Sequence, residues 1–175
     1  MLNVMKKESG FTLLEIILVL VIFSIIVAVA GLGIVTGTKG YVFARQNAHS
    51  AQKAQMALAR ITREFQELYN ITACSGSSVS FESGDGEYII GLDGSRIRIA
   101  AGGSTLANGD ILIDGIEANG FTLTFYKGDE IWNQGTDDID SLTDISIQID
   151  MIRNDVIGGS LTFSTFVHPR NVGYW

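Results

Sequence analysis

The chain has 175 residues, of which 46% are hydrophobic and 18% charged, with a formal net charge of −7. That acidity argues against general electrostatic capture of nucleic acid, and a single cysteine, Cys74, rules out an internal disulfide. The length leaves room, after any membrane segment, for one domain of ordinary size with a real core.

Lys6 and Lys7 precede the sequence Gly10-Phe11-Thr12-Leu13-Leu14-Glu15, and residues 16–35 follow as an apolar run whose only polar side chain is Ser24. At about 1.5 Å per residue a helix of that length spans roughly 30 Å, the hydrocarbon thickness of a bilayer. A cleavable secretory signal would have a shorter apolar core and small residues at its cut site. The run therefore reads as a span that stays with the protein. Glu15 lies at its edge, where a carboxylate costs less than the about 2.5–3.5 kcal/mol of mid-bilayer placement. Lys39 and Arg45 flank the far end as Lys6 and Lys7 flank the near one, so the positive-inside rule barely decides orientation.

The string from Lys6 to Glu15, with the span behind it, resembles the type IV prepilin signal shared by type IV pilins and type II secretion pseudopilins. The resemblance implies cleavage by a prepilin peptidase between Gly10 and Phe11, methylation of the new N-terminus at Phe11, and an assembly role for Glu15. It also implies a single-pass protein of the bacterial inner membrane, with its N-terminus cytoplasmic and its globular part periplasmic or extracytoplasmic. Its partners would be the peptidase/methyltransferase and other pilin-like subunits of a hetero-oligomeric filament. Cleavage would leave 165 residues and a charge of −8, because Lys6, Lys7 and Glu8 depart. The freed amine at Phe11 is cationic near neutral pH. A Glu15 carboxylate on a neighbouring subunit can pair with it, strongly in low dielectric, and so set axial register.

Further along, Gly31, Gly33, Gly37 and Gly40 lie where the span ends. Each costs a helix interior roughly 1 kcal/mol against alanine, so they read either as loosening points or as sites of close helix packing. Leu58, Ile61, Thr62, Phe65, Leu68 and Tyr69 then recur at helical spacing and predict an amphipathic continuation to about Asn70. Arg45, Lys53, Arg60 and Arg63 fall on other faces and read as a solvated row rather than a nucleic-acid contact.

After Cys74 the period changes to two. Residues 88–92 and 96–100 flank Asp93-Gly94, a hairpin signal, and residues 111–116 and 121–126 flank Asn119-Gly120 as a second expected hairpin. Ile145, Ile147, Ile149 and Met151 alternate with polar residues, as do Leu161 and Phe163. These are half-buried antiparallel strands. The expected fold is α+β and pilin-like: a long N-terminal helix, membrane-spanning in its first half and amphipathic in its second, packed against an antiparallel sheet. The expected divisions are a leader at 1–10, an assembly helix at 11–40, an amphipathic half at 41–72 and a β-rich domain at 73–175.

The ending from Phe166 to Asn171 resembles the terminus of minor pseudopilins of the J type and related minor pilins. Many type IV pilins carry a disulfide near the C-terminus, so the lone Cys74 leans the resemblance towards a pseudopilin or a minor pilin. The expectation is a minor pseudopilin of a type II secretion system, with a minor type IV pilin as the alternative.

Between strands, Asp129, Glu130, Asp137, Asp138, Asp140 and Asp144 read first as a solvated acidic loop. Calcium on Asp137, Asp138 and Asp140 is the alternative, although the spacing is not that of an EF-hand. His49, His168 and Cys74 do not make a zinc site. Gly102-Gly103-Ser104-Thr105-Leu106 misses the nucleophile-elbow pattern at its last position, and Gly31-Leu32-Gly33 lacks the third glycine of a dinucleotide loop. The chain therefore reads as a structural protein rather than an enzyme, with no cofactor expected. Trp132, Tyr174 and Trp175 are candidates for a surface patch or for core packing, with packing the stronger reading.

Overall fold

Thr12 starts the long helix. Its hydroxyl accepts the N–H of Glu15 at 3.3 Å and its carbonyl accepts the N–H groups of Glu15 and Ile16, which occupies donors that a helix start otherwise leaves free. Helix α1 then runs over Leu13–Gln66. The computed structural model describes residues 10–152 and 159–172. It divides into two units, Met1–Gln46 and Asn47–Trp175.

In the first unit α1 passes through Gly31, Gly33, Gly37 and Gly40 without losing helical hydrogen bonding. A Cβ at any of these four would meet nothing within 4 Å beyond its own turn of helix, so close packing within the segment does not explain them. The hydroxyls of Ser24, Thr36 and Thr38 donate to the carbonyls four residues back, at 2.7, 2.9 and 2.8 Å. The polar groups of this stretch are thus satisfied within the helix itself.

In the second unit α1 buries one stripe: Ala54, Ala57, Ile61, Glu64 and Phe65. The spacing of three and four places them on a single face. The helix ends at Gln66, four residues short of the expected Asn70. Leu68 and Tyr69 continue the helical period on paper, but the run Leu68-Tyr69-Asn70-Ile71-Thr72 is rich in strand-forming residues. Pairing with a neighbouring strand claims it.

That run is β1 (Leu68–Cys74), followed by β2 (Ser78–Ser83), β3 (Gly86–Asp93), β4 (Arg96–Ala101) and β5 (Asp110–Asp114). They form a five-stranded antiparallel meander in chain order. The Asp93-Gly94 hairpin is present: Asp93 pairs with Arg96, and Gly94 takes φ +62°, as this turn demands.

The second expected hairpin is not there. β5 stays with the first sheet, and β6 (Ile116–Lys127) runs straight through Asn119-Gly120. Those residues bulge out of register between Ile116, opposite Met151, and Phe121, opposite Ile149. Asn119 adopts φ +62° in this bulge. A Cβ on Gly120 would sit 2.5 Å from the carbonyl oxygen of Asp150, so only glycine fits there. An Asn-Gly pair serves a bulge as well as a turn because both need a left-handed residue.

β6 belongs to a second antiparallel sheet with β7 (Glu130–Ile131), β8 (Asp144–Ile152) and β9 (Ser160–Val167), in the order β7-β6-β8-β9. One buried core joins the helix stripe to both sheets. The rings of Phe65 and Phe81 meet edge to face at 5.5 Å and 87°, and Ile145, Ile147 and Ile149 are fully buried. The α+β arrangement of a long N-terminal helix on antiparallel strands is as the sequence leads one to expect, with two sheets rather than one.

Candidate assembly site

The N-terminal segment is built from the capped helix start outwards. Gly10 and Phe11 precede the cap in irregular, exposed backbone, with the Phe11 side chain 78% exposed. A peptidase needs an accessible bond outside regular structure, and the expected scissile bond is of this kind. Lys6, Lys7, Glu8 and Ser9, the basic leader, lie outside the described residues.

Glu15 occupies the first helical turn, three residues after the Thr12 cap. Thr12-Leu13-Leu14-Glu15 is thus a capping-box sequence, a local helix-start signal inside the longer motif. The position favours a carboxylate, because the first turn carries the positive end of the helix dipole. Glu15 has no ion-pair partner among the described residues.

Every residue from Gly10 to Val42 is exposed. The segment contains an 18-residue window of mean hydropathy 3.1 with none of it buried, long and apolar enough to cross a membrane. An apolar surface of this extent far exceeds the few hundred Å² that soluble monomers leave uncovered, and marks a membrane or protein contact.

The other candidates resolve into local structure. Asp137 does not stand free: Lys127 Nζ donates to it at 2.7 Å and the Asn133 N–H donates at 2.9 Å. Lys127 holds the Asp137 carboxyl below its ordinary range, and Asp137 in turn raises the Lys127 ammonium. Asp138 uses its carbonyl to receive the Trp132 indole N–H at 2.9 Å. Asp140 lies in a short turn, Ile139–Ser141. Among the described residues no group of three or more His, Cys, Asp or Glu side chains is arranged to hold a metal ion.

Trp132 is a core residue rather than a surface patch, at 4% exposure. Tyr174 and Trp175 lie outside the described residues. His49 is exposed on α1, and His168 Nδ1 lies 3.4 Å from Asp144 Oδ1. Cys74 is half-buried, and burial pushes its thiol pKa up, the opposite of an activated nucleophile.

Three of the four residues of the basic row stand in ion pairs. Arg60 reaches the buried carboxylate of Glu64 at 2.8 Å, Arg63 lies 3.6 Å from it, and Lys53 holds Asp114 at 2.7 Å. Sequence reasoning missed Glu64, which lies on the apolar stripe. Its arginine four residues back was the available sign.

A capped, exposed apolar helix that continues into a helix-on-sheet domain is a pilin-like arrangement. Residues 5–31 match the family model described as the prokaryotic N-terminal methylation motif. This prepilin-type signal marks type IV pilins and pseudopilins, and implies a membrane-anchored precursor processed by a prepilin peptidase. No curated protein matches the chain.

Proposed function

We propose that this chain is a minor pseudopilin of a type II protein secretion system. It is cut between Gly10 and Phe11, methylated on Phe11, and incorporated into a short filament through Glu15 and the helix behind it. The single observation that carries the reading is the uncovered helix surface from Gly10 to Val42, headed by the Thr12 cap and the Glu15 carboxylate. Neighbouring apolar helices cover such a surface, and the carboxylate then needs a cation, which the freed α-amine of a neighbour's Phe11 supplies.

The bacterial inner membrane holds the subunit before assembly, with the residues after the span on its outer side. The unpaired Cys74 and the Phe166–Asn171 stretch support a minor subunit, pseudopilin or pilin alike. A minor type IV pilin, active in pilus priming, adhesion or DNA uptake, is the second reading, because the N-terminal motif serves both machines.

The test is the intact mass of the chain from cells with and without a co-expressed prepilin peptidase. Loss of residues 1–10 with gain of one methyl group is expected; an uncut chain overturns the proposal. Glu15→Ala should be inserted and cut yet fail to enter filaments. Deletion of the gene, scored for protein export and for surface pili, separates the two machines.

A further inference from the structure

The two sheets present four edges, and three of them are blunted. β1 breaks register with β2 twice, between Leu68 and Asn70 and between Ile71 and Ala73. Its free groups are also taken: the Gln134 side chain accepts the Cys74 N–H at 2.8 Å and donates to the Ile71 carbonyl at 3.3 Å. β5 carries Asp110 and Asp114 and is bulged against β4. β7 is only Glu130–Ile131. Along the rest of that side β6 is met by the first sheet's turns, its Ile116 and Leu123 N–H groups donating to the carbonyls of Ser95 and Gly76 at 3.0 and 2.9 Å. Bulges, charges, shortness and covering groups are the devices by which proteins prevent unwanted strand addition.

Among the described residues β9 has none of them. Its eight residues, Ser-Leu-Thr-Phe-Ser-Thr-Phe-Val, include no charge and no proline. They pair with β8 without a break, from Ile152 opposite Ser160 to Ile145 opposite Val167. The inward-facing Leu161, Phe163 and Thr165 are only half-buried, whereas their counterparts on β8 are buried. One more strand would complete their cover.

At the Val167 end of this edge the outer face of the sheet is concave. A pocket of about 290 Å³ is lined by Tyr126, Gly128, Asp129, Asp144 and Phe166. The Tyr126 and Phe166 rings stand 6.3 Å apart at 45°, and Phe166 is 66% exposed. Asp129 has no ion-pair partner among the described residues, and Asp144 faces only His168 at 3.4 Å. Two aromatic rings with two carboxylates match a cationic side chain, by cation–π attraction and by charge. A strand added beside β9 lies about 4.8 Å beyond it, so a lysine or arginine on that strand can cross Phe166 and reach Asp144.

We propose that the free edge of β9 accepts an extended segment of another protein by strand addition, and that a basic residue of this segment seats in the Tyr126–Asp129–Asp144–Phe166 pocket. Main-chain hydrogen bonds supply affinity and the pocket supplies selectivity. The edge is uncharged and the pocket acidic, so the partner strand is neutral to basic. A second copy pairing through its own β9 brings no basic residue to the pocket. The inference is independent of the processing and assembly of the N-terminal helix.

The test uses the full chain in detergent micelles and a short fluorescein-labelled peptide of alternating valine and threonine. A lysine near the peptide's N-terminus is placed beside Phe166 by antiparallel pairing. Saturable binding by fluorescence anisotropy is expected, with loss of binding when every peptide amide is N-methylated. Thr165→Lys puts a charge on the inner face of the edge and should abolish binding. Asp129→Asn combined with Phe166→Ala should weaken the lysine peptide by about tenfold or more and leave an all-neutral peptide unaffected.

Equal binding of the N-methylated peptide, which needs no variant to fold, overturns the proposal. So does unchanged binding by Thr165→Lys, or a glutamate peptide that binds as tightly as the lysine one. Self-association that Thr165→Lys breaks and the peptide does not displace would make the edge a contact between copies, and overturns it as well.

Discussion

The main-chain N–H of Arg170 donates to the carbonyl of Gln66 at 3.1 Å, closing the end of α1 with a residue from the far end of the chain. Asn171 adds its side-chain amide to the Glu67 carbonyl at 3.5 Å. Helices usually finish with a glycine that turns the chain back on the last carbonyls. Here Gln66-Glu67-Leu68 passes directly into β1, so the cap is brought from elsewhere. The Pro169-Arg170-Asn171 ending thereby has a local physical role.

The donor is main-chain, so Arg170→Ala should leave the melting temperature nearly unchanged. Arg170→Pro removes the N–H and should cost about 1 kcal/mol or more. Equal melting temperatures for the two variants would show that the cap contributes nothing.

Phe65 is fully buried and meets Phe81 edge to face, joining the helix to the first sheet. Phe65→Ala should cost about 3–5 kcal/mol, measured by denaturant unfolding. Met56, exposed on the same helix, should tolerate alanine with almost no change.

Lys127 and Asp137 make a pH-dependent tie. The Asp137 carboxyl is lowered, so its contribution is full above the ordinary carboxylate range and is lost as pH falls through its folded value. The Lys127 ammonium is raised, so its contribution is full below the ordinary lysine range and is lost as pH rises through its folded value. Lys127→Met should lower the melting temperature at neutral pH and make no difference in strong acid. Because Lys127 already holds Asp137, millimolar calcium should leave the melting temperature of the native chain unchanged; a rise would place calcium in this loop.

Gln134 acts as a one-residue strand against β1. Gln134→Ala should speed amide hydrogen exchange at Cys74. It should also speed alkylation of the Cys74 thiol, whose pKa burial raises and whose access burial limits. Unchanged rates for both would mean that the loop covers this edge without the side chain.

Elements held by local rules are legible in the sequence alone. The apolar span is a matter of composition, the Asp93-Gly94 hairpin of turn chemistry, and β8 of strict alternation. Local rules fail where two structures share one signature. Asn119-Gly120 satisfies both a hairpin and a bulge, and Leu68-Tyr69 satisfies both a helical stripe and a strand. β2 alternates Val79 and Phe81 with polar residues but is short, and β1 and β7 have weak patterns of their own and exist through their partners.

The sequence by itself determined the N-terminal apolar segment of this protein, residues 13–42. Its helix needs only its own backbone bonds and its own hydroxyls, and its apolar surface awaits partners outside the chain. Tertiary structure alone decided where α1 stops, that β6 continues past Asn119, that Glu64 is buried beside Arg60, and that Asp137 faces Lys127. Each of these depends on contacts between residues distant along the chain or on competition between local alternatives. Hydrophobic period carries no information on which strand a segment will pair with, so the edges of the two sheets, and the bare edge at β9, could be seen only in the folded chain.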